Sequence, residues 1–401
     1  MNETKDKLLN KNFCLLTISN FLTFFAFYLI LPILVFYLTE DFGVNKAEAG
    51  IIISCFTVAT LLVRPFSGYF LDVYSRKPIY LIAFTLFTLV FGGYIFAGSV
   101  AVMAACRFIH GLSFGTLSVA GSTIVIDALP SSRRTEGIGY YGIANNIAMC
   151  FGPMAALFLY RSYSCSIIFA ICFCISTLGV LLASFVKLKS RPAVQSPIVS
   201  LDRFILVKGL PAGLSFLLFA IPYACITNYI AMYIKEIGLA IEGGTFFTLM
   251  AVGMIASRIF AGKLCDRGKL PQVIIAGMLL VTLGIIALAF GDMVNAVSPT
   301  LTTWMFCAIA ASIGLGCGSM FPAANTLFVN IAPKNRRGTS MSTFLTAWDM
   351  GVGLGILLGG VMSEYFSFPS AFVLGGMLAA GSTVYFAVYV SKHYEKNRLN
   401  K

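Results

Sequence analysis

Apolar residues run along this chain in blocks of helix length, and the polar breaks between them are short. The blocks fall at 14–38, 49–70, 79–97, 100–126, 138–160, 165–186, 206–234, 245–264, 271–290, 301–328, 339–361 and 370–391. At about 20 residues per crossing, each is long enough to carry a helix through the hydrocarbon core of a bilayer. They do not resemble the alternating strands of a membrane barrel, roughly 10 residues each. Lipid admits only helices or closed barrels, because no water is present to satisfy an open backbone. The pattern predicts an all-α membrane protein of twelve transmembrane helices. One long polar break then gives an N-terminal six-helix half (1–187), a cytoplasmic linker (188–205) and a C-terminal six-helix half (206–401).

Composition removes the alternatives. Hydrophobic residues make up 58% of the 401 and charged residues 11%, against roughly 25% charged in soluble globular proteins. A soluble enzyme, a nucleic-acid-binding domain and a disordered chain are excluded, and the expected surroundings are the lipid bilayer. The net charge of +12 has a topological explanation that needs no nucleic acid. With the N-terminus inside, 22 of the 28 Lys and Arg residues lie in cytoplasmic segments, and only Lys46, Arg161 and Lys235 lie in outer loops. The positive-inside rule therefore puts both termini in the cytoplasm, as expected for a multi-pass protein of the plasma (cell inner) membrane. The first apolar run, from Phe13 to about Leu38, is too long for a cleavable signal and reads as the first span. Eleven cysteines are scattered through apolar stretches without metal-ligand spacing, so they read as small buried hydrophobes; no metal and no cofactor is expected.

The two halves repeat each other. Arg64-Pro-Phe-Ser-Gly68-Tyr-Phe-Leu-Asp72 follows the second span, and Arg258-Ile-Phe-Ala-Gly262-Lys-Leu-Cys-Asp266 follows the eighth, 194 residues later. A longer stretch, Gly111 to Arg134, aligns without gaps on Gly314 to Arg337 at an offset of 203. Internal repeats of this kind belong to transporters that hold substrate at the repeat interface near the midplane and work by alternating access.

These motifs carry a family resemblance over essentially the whole chain. Gly68-Tyr-Phe-Leu-Asp72-Val-Tyr-Ser-Arg76-Lys77 is similar to the GxLaDrxGrk loop of the major facilitator superfamily, and Gly262 to Lys269 resembles its second copy. Arg107-Phe-Ile-His110-Gly111 resembles the fourth-span RxxQG motif, with His in place of Gln. Gly152-Pro153 resembles the start of the GPxxGG signature of the twelve-helix drug/proton antiporter group, although Met-Ala-Ala-Leu follows here. The resemblance implies the major facilitator fold. It further implies a gating loop in which Asp72 docks against the eleventh span and Arg76 bridges to an acid at the foot of the fourth, here Asp127. The repeat places Asn330 opposite Asp127, so this set of charges is complete in the first half only. Gly68, Asp72, Arg76, Lys77, Asp127, Gly262, Asp266 and Arg267 form the candidate gating group; the plain alternative is ordinary membrane-flanking charge.

Few ionisable groups lie deep in the spans. Asp349 follows Arg337 by 12 residues, about 18 Å along a helix, which puts it near the middle of the eleventh span. A carboxyl group removed from water takes up a proton more readily, so Asp349 is the first candidate for proton coupling, against a structural carboxylate bonded between helices. Arg107 and His110 lie three residues apart on one face of the fourth span. An intramembrane Arg needs a partner or water, and the resemblance implies that this one assists proton transfer. Its plain alternative is a tether near the outer end, about 10 Å away. His110 is able to titrate near neutral pH, or is simply satisfied by a polar contact. The repeat aligns Asp349 with Asn146 and Trp348 with Asn145, so one polar pair from each half is expected at the cavity. Asn20, Tyr28, Tyr141, Asn145, Asn146 and Trp348 are the candidate cavity residues. Arg64 and Arg258 read as anchors to lipid headgroups, and the Gly351–Gly360 and Gly314–Gly318 runs as close helix packing.

No ATP-binding loop is present, so transport draws on a gradient rather than on an enzymatic reaction. The leading function is export of a small organic compound by proton antiport. A proton symporter or facilitator for metabolite uptake, of a sugar or organic solute, is the alternative. A membrane sensor or scaffold is a third, but it predicts an appended soluble domain. A chain with two halves encloses its own pathway, so it is expected to function as a monomer.

Overall fold

The computed structural model describes residues 9–129, 134–187, 205–333 and 337–399, and these are helical almost throughout, without a strand. The N-terminal series is α1 (Lys11–Phe36), α2 (Lys46–Val73), α3 (Arg76–Ile95), α4 (Val100–Ala128), α5 (Arg134–Tyr160) and α6 (Cys165–Ser184). It is followed by α7 (Leu210–Glu236), α8 (Gly243–Asp266), α9 (Leu270–Leu288), the short α10 (Gly291–Val297), α11 (Pro299–Asn330), α12 (Arg337–Tyr365), α13 (Phe368–Tyr385) and α14 (Ser391–Asn397). Eleven stretches among the described residues are long and apolar enough to cross a membrane, and α8 adds a shorter apolar segment, Gly243–Ser257. Each of the twelve apolar blocks thus lies on a helix; α11 is the tenth span, α12 the eleventh, and α13 continues through a π-helical turn, Phe386–Val390, into α14.

The ends are set by local chemistry. Ser99, Ser298 and Ser367 cap α4, α11 and α13, their hydroxyls accepting from the backbone of Val102, Leu301 and Ser370. Pro271, Pro299 and Pro369 sit in the first turns of α9, α11 and α13, where a missing N–H costs nothing. α1 ends by widening into a π-helical turn at Tyr37–Asp41.

Close contacts divide the chain into two compact units, residues 1–34 with 55–198, and residues 35–54 with 199–401. In the first unit α3 packs on α4 and α6; in the second, α11 packs on α8 and α9, and α7 packs on α12 and α13. The sequence repeat reappears as a packing repeat. A Cβ on Gly111 of α4 would stand 2.1 Å from the Phe56 carbonyl oxygen on α2, and one on Gly314 of α11 would stand 2.0 Å from the Met250 carbonyl oxygen on α8. Gly111 and Gly314 differ by 203, and Phe56 and Met250 by 194, the two offsets of the sequence repeats. Backbone meets backbone at both crossings, which only glycine permits.

Candidate functional site

α1 and α5 bring the first group together in the N-terminal unit. Asn20 of α1 donates through Nδ2 to Oδ1 of Asn145 on α5. A small pocket beside this pair is lined by Asn20, Thr23, Phe24, Tyr80, Phe114, Ser118 and Tyr141. One amide, two aliphatic hydroxyls, four aromatic side chains and Leu117 make up this lining, and none of them is charged. Tyr28 is half-buried one turn along α1, its ring 5.3 Å from Phe27 and 6.2 Å from Phe24. Tyr80 on α3, Thr23 on α1 and Phe114 and Ser118 on α4 were not among the candidate cavity residues. Their signal was a helical spacing of hydroxyls and rings that packing residues share. The side chain of Asn146 lies outside the described residues.

A second group lies on α4. Arg107 is 1% exposed and turns inward over the Phe56 ring, 4.5 Å from its centroid. Its Nη1 donates to the Tyr94 hydroxyl at 3.3 Å, and that hydroxyl is 2.8 Å from Nδ1 of His110. His110 is fully buried among Phe87, Phe91 and Phe56, with ring centroids 4.4, 5.0 and 5.7 Å away. Tyr94, on α3, is the member that the sequence did not single out. Its link to His110 crosses from one helix to another and leaves no spacing to detect.

The third group belongs to the C-terminal unit. Asp349 and Trp348 are both half-buried on α12. The Trp348 ring packs 4.6 Å from Phe321 of α11 and 5.2 Å from Tyr223 of α7, closing an aromatic triangle. α12 is pressed on α7 here, since a Cβ on Gly355 would stand 2.1 Å from the Ile221 carbonyl oxygen. Asn228, 1% exposed on α7, donates through Nδ2 to the Ala224 carbonyl oxygen at 2.9 Å; its Oδ1 meets no partner among the described residues. It adds a buried polar group that the sequence reading passed over within an unbroken apolar run.

Polar groups also cluster at both ends. On the side assigned to the cytoplasm, Arg76 donates to Asp127 at 2.8 Å and through Nε to the Leu71 carbonyl oxygen at 3.2 Å. Lys77 donates to the Ser184 carbonyl oxygen at 2.9 Å, and Arg267 is exposed. Gly68 lies on α2 and Gly262 on α8, while the side chains of Asp72, Asp266 and Arg258 lie outside the described residues. In the second half, Asn330 donates to the Tyr394 hydroxyl at 3.0 Å, so the C-terminal helix meets the residue that the repeat places opposite Asp127. Arg64 departs from the headgroup-anchor expectation, being only 7% exposed. It falls on the α2 stripe of Ile53, Thr57, Thr60, Ser67 and Leu71, all buried, so the helix turns it into the protein.

At the other end, residues 35–54 join the C-terminal unit through charge. Lys46 Nζ lies 2.8 Å from Glu236 and 4.4 Å above the Phe368 ring, while its backbone N–H donates to Glu364 at 2.8 Å. Lys235 pairs with Glu40 at 2.6 Å. Ser54 donates to the Gly353 carbonyl oxygen at 3.1 Å.

Comparison with known proteins gives this arrangement its context. The family model of the Major Facilitator Superfamily matches residues 16–301 and 244–401. The staphylopine export protein of Staphylococcus aureus (strain Mu50) is 23% identical over 373 residues, covering 89% of this chain and 91% of that protein. The quinolone resistance protein NorA of Staphylococcus aureus (strain MRSA252) is 24% identical over 395 residues, covering 94% and 96%. Among solved structures, a POT family transporter in complex with a thioalcohol-conjugated peptide superposes with a TM-score of 0.80 at 14% identity, covering 95% and 96%. The human organic anion transporter MFSD10 superposes with a TM-score of 0.66 at 16% identity, covering 94% and 99%.

Proposed function

The chain belongs to the Major Facilitator Superfamily, is a multi-pass membrane transporter rather than an enzyme, and from that premise we propose that it exports a small organic compound in exchange for protons. The observation that carries this reading is Asp349, a carboxylate half-buried at mid-span on a helix locked to α7. A group in that position is able to bind either a proton or a substrate, and mutually exclusive occupancy is all that antiport requires. Arg107, buried on α4 of the other unit, is the second group assigned to proton coupling. In one unit the small pocket of Asn20, Tyr141 and their neighbours is uncharged and polar, and in the other the Trp348 triangle is aromatic; side chains of both kinds suit an organic molecule. Export, rather than uptake, is supported by the name of the staphylopine export protein.

Alternating access needs fastenings that break in turn. The Arg76–Asp127 pair serves as one on the cytoplasmic side, and Gly68, Asp72, Lys77, Gly262, Asp266 and Arg267 are assigned to the same gate. The Lys46–Glu236 and Lys235–Glu40 pairs serve on the outer side. The protein works as a monomer in the plasma membrane, both termini in the cytoplasm, with two six-helix halves joined through 188–205.

Inverted membrane vesicles test the direction. With an imposed proton gradient, acid inside, a panel of lipophilic cations and chelating metabolites should contain a compound that accumulates inside as protons leave. Movement of compound and protons in the same direction would instead establish symport.

A further inference from the structure

We infer that the pocket of the N-terminal unit takes an uncharged end of the transported molecule, of the carboxamide or hydroxyl type, and that Tyr80 and Tyr141 donate hydrogen bonds to it. Two phenolic protons there are unspent. Tyr80 is 3% exposed and Tyr141 8%, and both line the pocket. Both reach the same residue of α4: a Cβ on Gly121 would stand 2.7 Å from the Tyr141 hydroxyl and 3.5 Å from the Tyr80 ring. Neither hydroxyl has a hydrogen-bond partner among the described residues, and the two do not bond each other. Other buried tyrosines differ. Tyr229 donates to the Ile356 carbonyl oxygen at 2.9 Å, Tyr233 to Asp292 at 2.8 Å, and Tyr394 accepts from Asn330 at 3.0 Å. Buried polar groups are bonded as a rule, so a pair that bonds nothing within the protein is suited to a partner from outside it.

The rest of the lining supplies acceptors. Thr23 spends its hydroxyl proton on the Ser19 carbonyl oxygen at 2.9 Å, and Ser118 spends its own on that of Gly115 at 3.2 Å. Toward a ligand, each of these oxygens therefore only accepts. Asn20 commits Nδ2 to Asn145 and keeps Oδ1 to accept. A cation has no use for the two phenolic protons and an anion none for the three acceptors, and no charged side chain lines the pocket to hold either. A neutral group with both functions matches: its oxygen accepts from the tyrosines, and its N–H or O–H donates to Thr23, Ser118 or Asn20. The Phe24 and Phe114 rings, 5.5 Å apart and edge to face, offer surface to the adjoining apolar part. At about 220 Å³ the pocket is smaller than the roughly 300–1,000 Å³ that encloses a drug-sized ligand, so it takes one end of the molecule. Tyr80 lies four residues into α3 and Tyr141 seven into α5, about 6 and 10 Å from helix starts on the side assigned to the cytoplasm. An exporter collects its cargo from that side, so the link between this pocket and transport rests on the export reading; the chemistry of the end it binds does not.

Saturation-transfer NMR with the purified full chain in detergent tests this with four probes that share one phenyl ring: benzamide, benzyl alcohol, benzoate and benzyltrimethylammonium. Benzamide and benzyl alcohol should bind, each about fivefold more weakly in Tyr80→Phe and in Tyr141→Phe, as the loss of one neutral hydrogen bond predicts. The two charged probes should give no signal that either substitution changes. Thermal melting is the second readout: because the hydroxyls bond nothing within the protein, both variants should melt no lower than wild type. Equal binding of benzamide to wild type and to the double variant, or binding of none of the four, overturns the inference. So does a charged probe whose binding is weakened by the same substitutions, which would make this a site for ions. A lowered melting temperature in both variants would show the hydroxyls to be structural and overturn it as well. Vesicles that move no compound would refute the export reading, while the probe series still decides what the pocket binds.

Discussion

Arg76 donates to the carboxylate of Asp127 at 2.8 Å, tying the start of α3 to the foot of α4. Both side chains are largely covered, 20% and 15% exposed. A hydrogen bond to a charged group contributes about 1.5–3 kcal/mol in such a setting. Asp127→Asn should therefore slow transport without preventing insertion, and the charge exchange Arg76→Asp with Asp127→Arg should recover part of the rate. Equal transport in Asp127→Asn and wild type, at equal surface expression, would remove this pair from the gate.

The outer pairs call for a different expectation. Glu40 and Lys235 are 42% and 66% exposed, and exposed pairs contribute only about 0.2–1 kcal/mol each. Lys235→Ala should shift the balance between outer-open and outer-closed forms by a factor of about five at most, following from that energy. Lys46→Ala should shift it further, because Lys46 also lies over Phe368. Accessibility of a cysteine introduced at Ser54 to an impermeant thiol reagent, measured in a background of otherwise unreactive cysteines, checks both.

Helix crossings should fail in parallel. Gly111→Ala and Gly314→Ala each drive a Cβ to within about 2 Å of a carbonyl oxygen, and overpacking of this kind costs about 1–3 kcal/mol or more. The two variants are expected to lower the melting temperature of the purified protein by similar amounts, since the two crossings repeat. Gly142→Ala is the control, because nothing lies within 4 Å of its added carbon. A Gly111→Ala protein as stable as Gly142→Ala would contradict the packing repeat.

The fold was legible because lipid imposes its own constraint: with the backbone closed on itself in every span, twelve apolar blocks become twelve helices. The repeat was legible too, and it reaches as far as Gly111 over Phe56 and Gly314 over Met250. Hydrogen bonds between helices far apart in sequence were not. Asn20 and Asn145 were each named as facing a cavity, but their mutual bond was not foreseeable, and Tyr94 carried no mark beyond being one aromatic among many. Arg64 shows a different gap, since a basic residue near a span end suggests an anchor. Its place on the stripe of Thr57, Thr60 and Ser67 turns it inward instead. Asn228 was hidden for a similar reason, because one amide in a long apolar run does not interrupt the run.

The central claim is that Asp349 carries the coupled proton, and it is tested most directly in proteoliposomes holding a pH dye. Wild type and Asp349→Asn are compared as each compound of the panel is added in turn. The account predicts that one compound drives proton release from the lumen of wild-type vesicles and that Asp349→Asn abolishes this release. Binding of the same compound to the detergent-solubilised variant serves as the check on its folding. Proton release of undiminished rate in a folded Asp349→Asn protein, or compound movement without protons in the wild type, would contradict it.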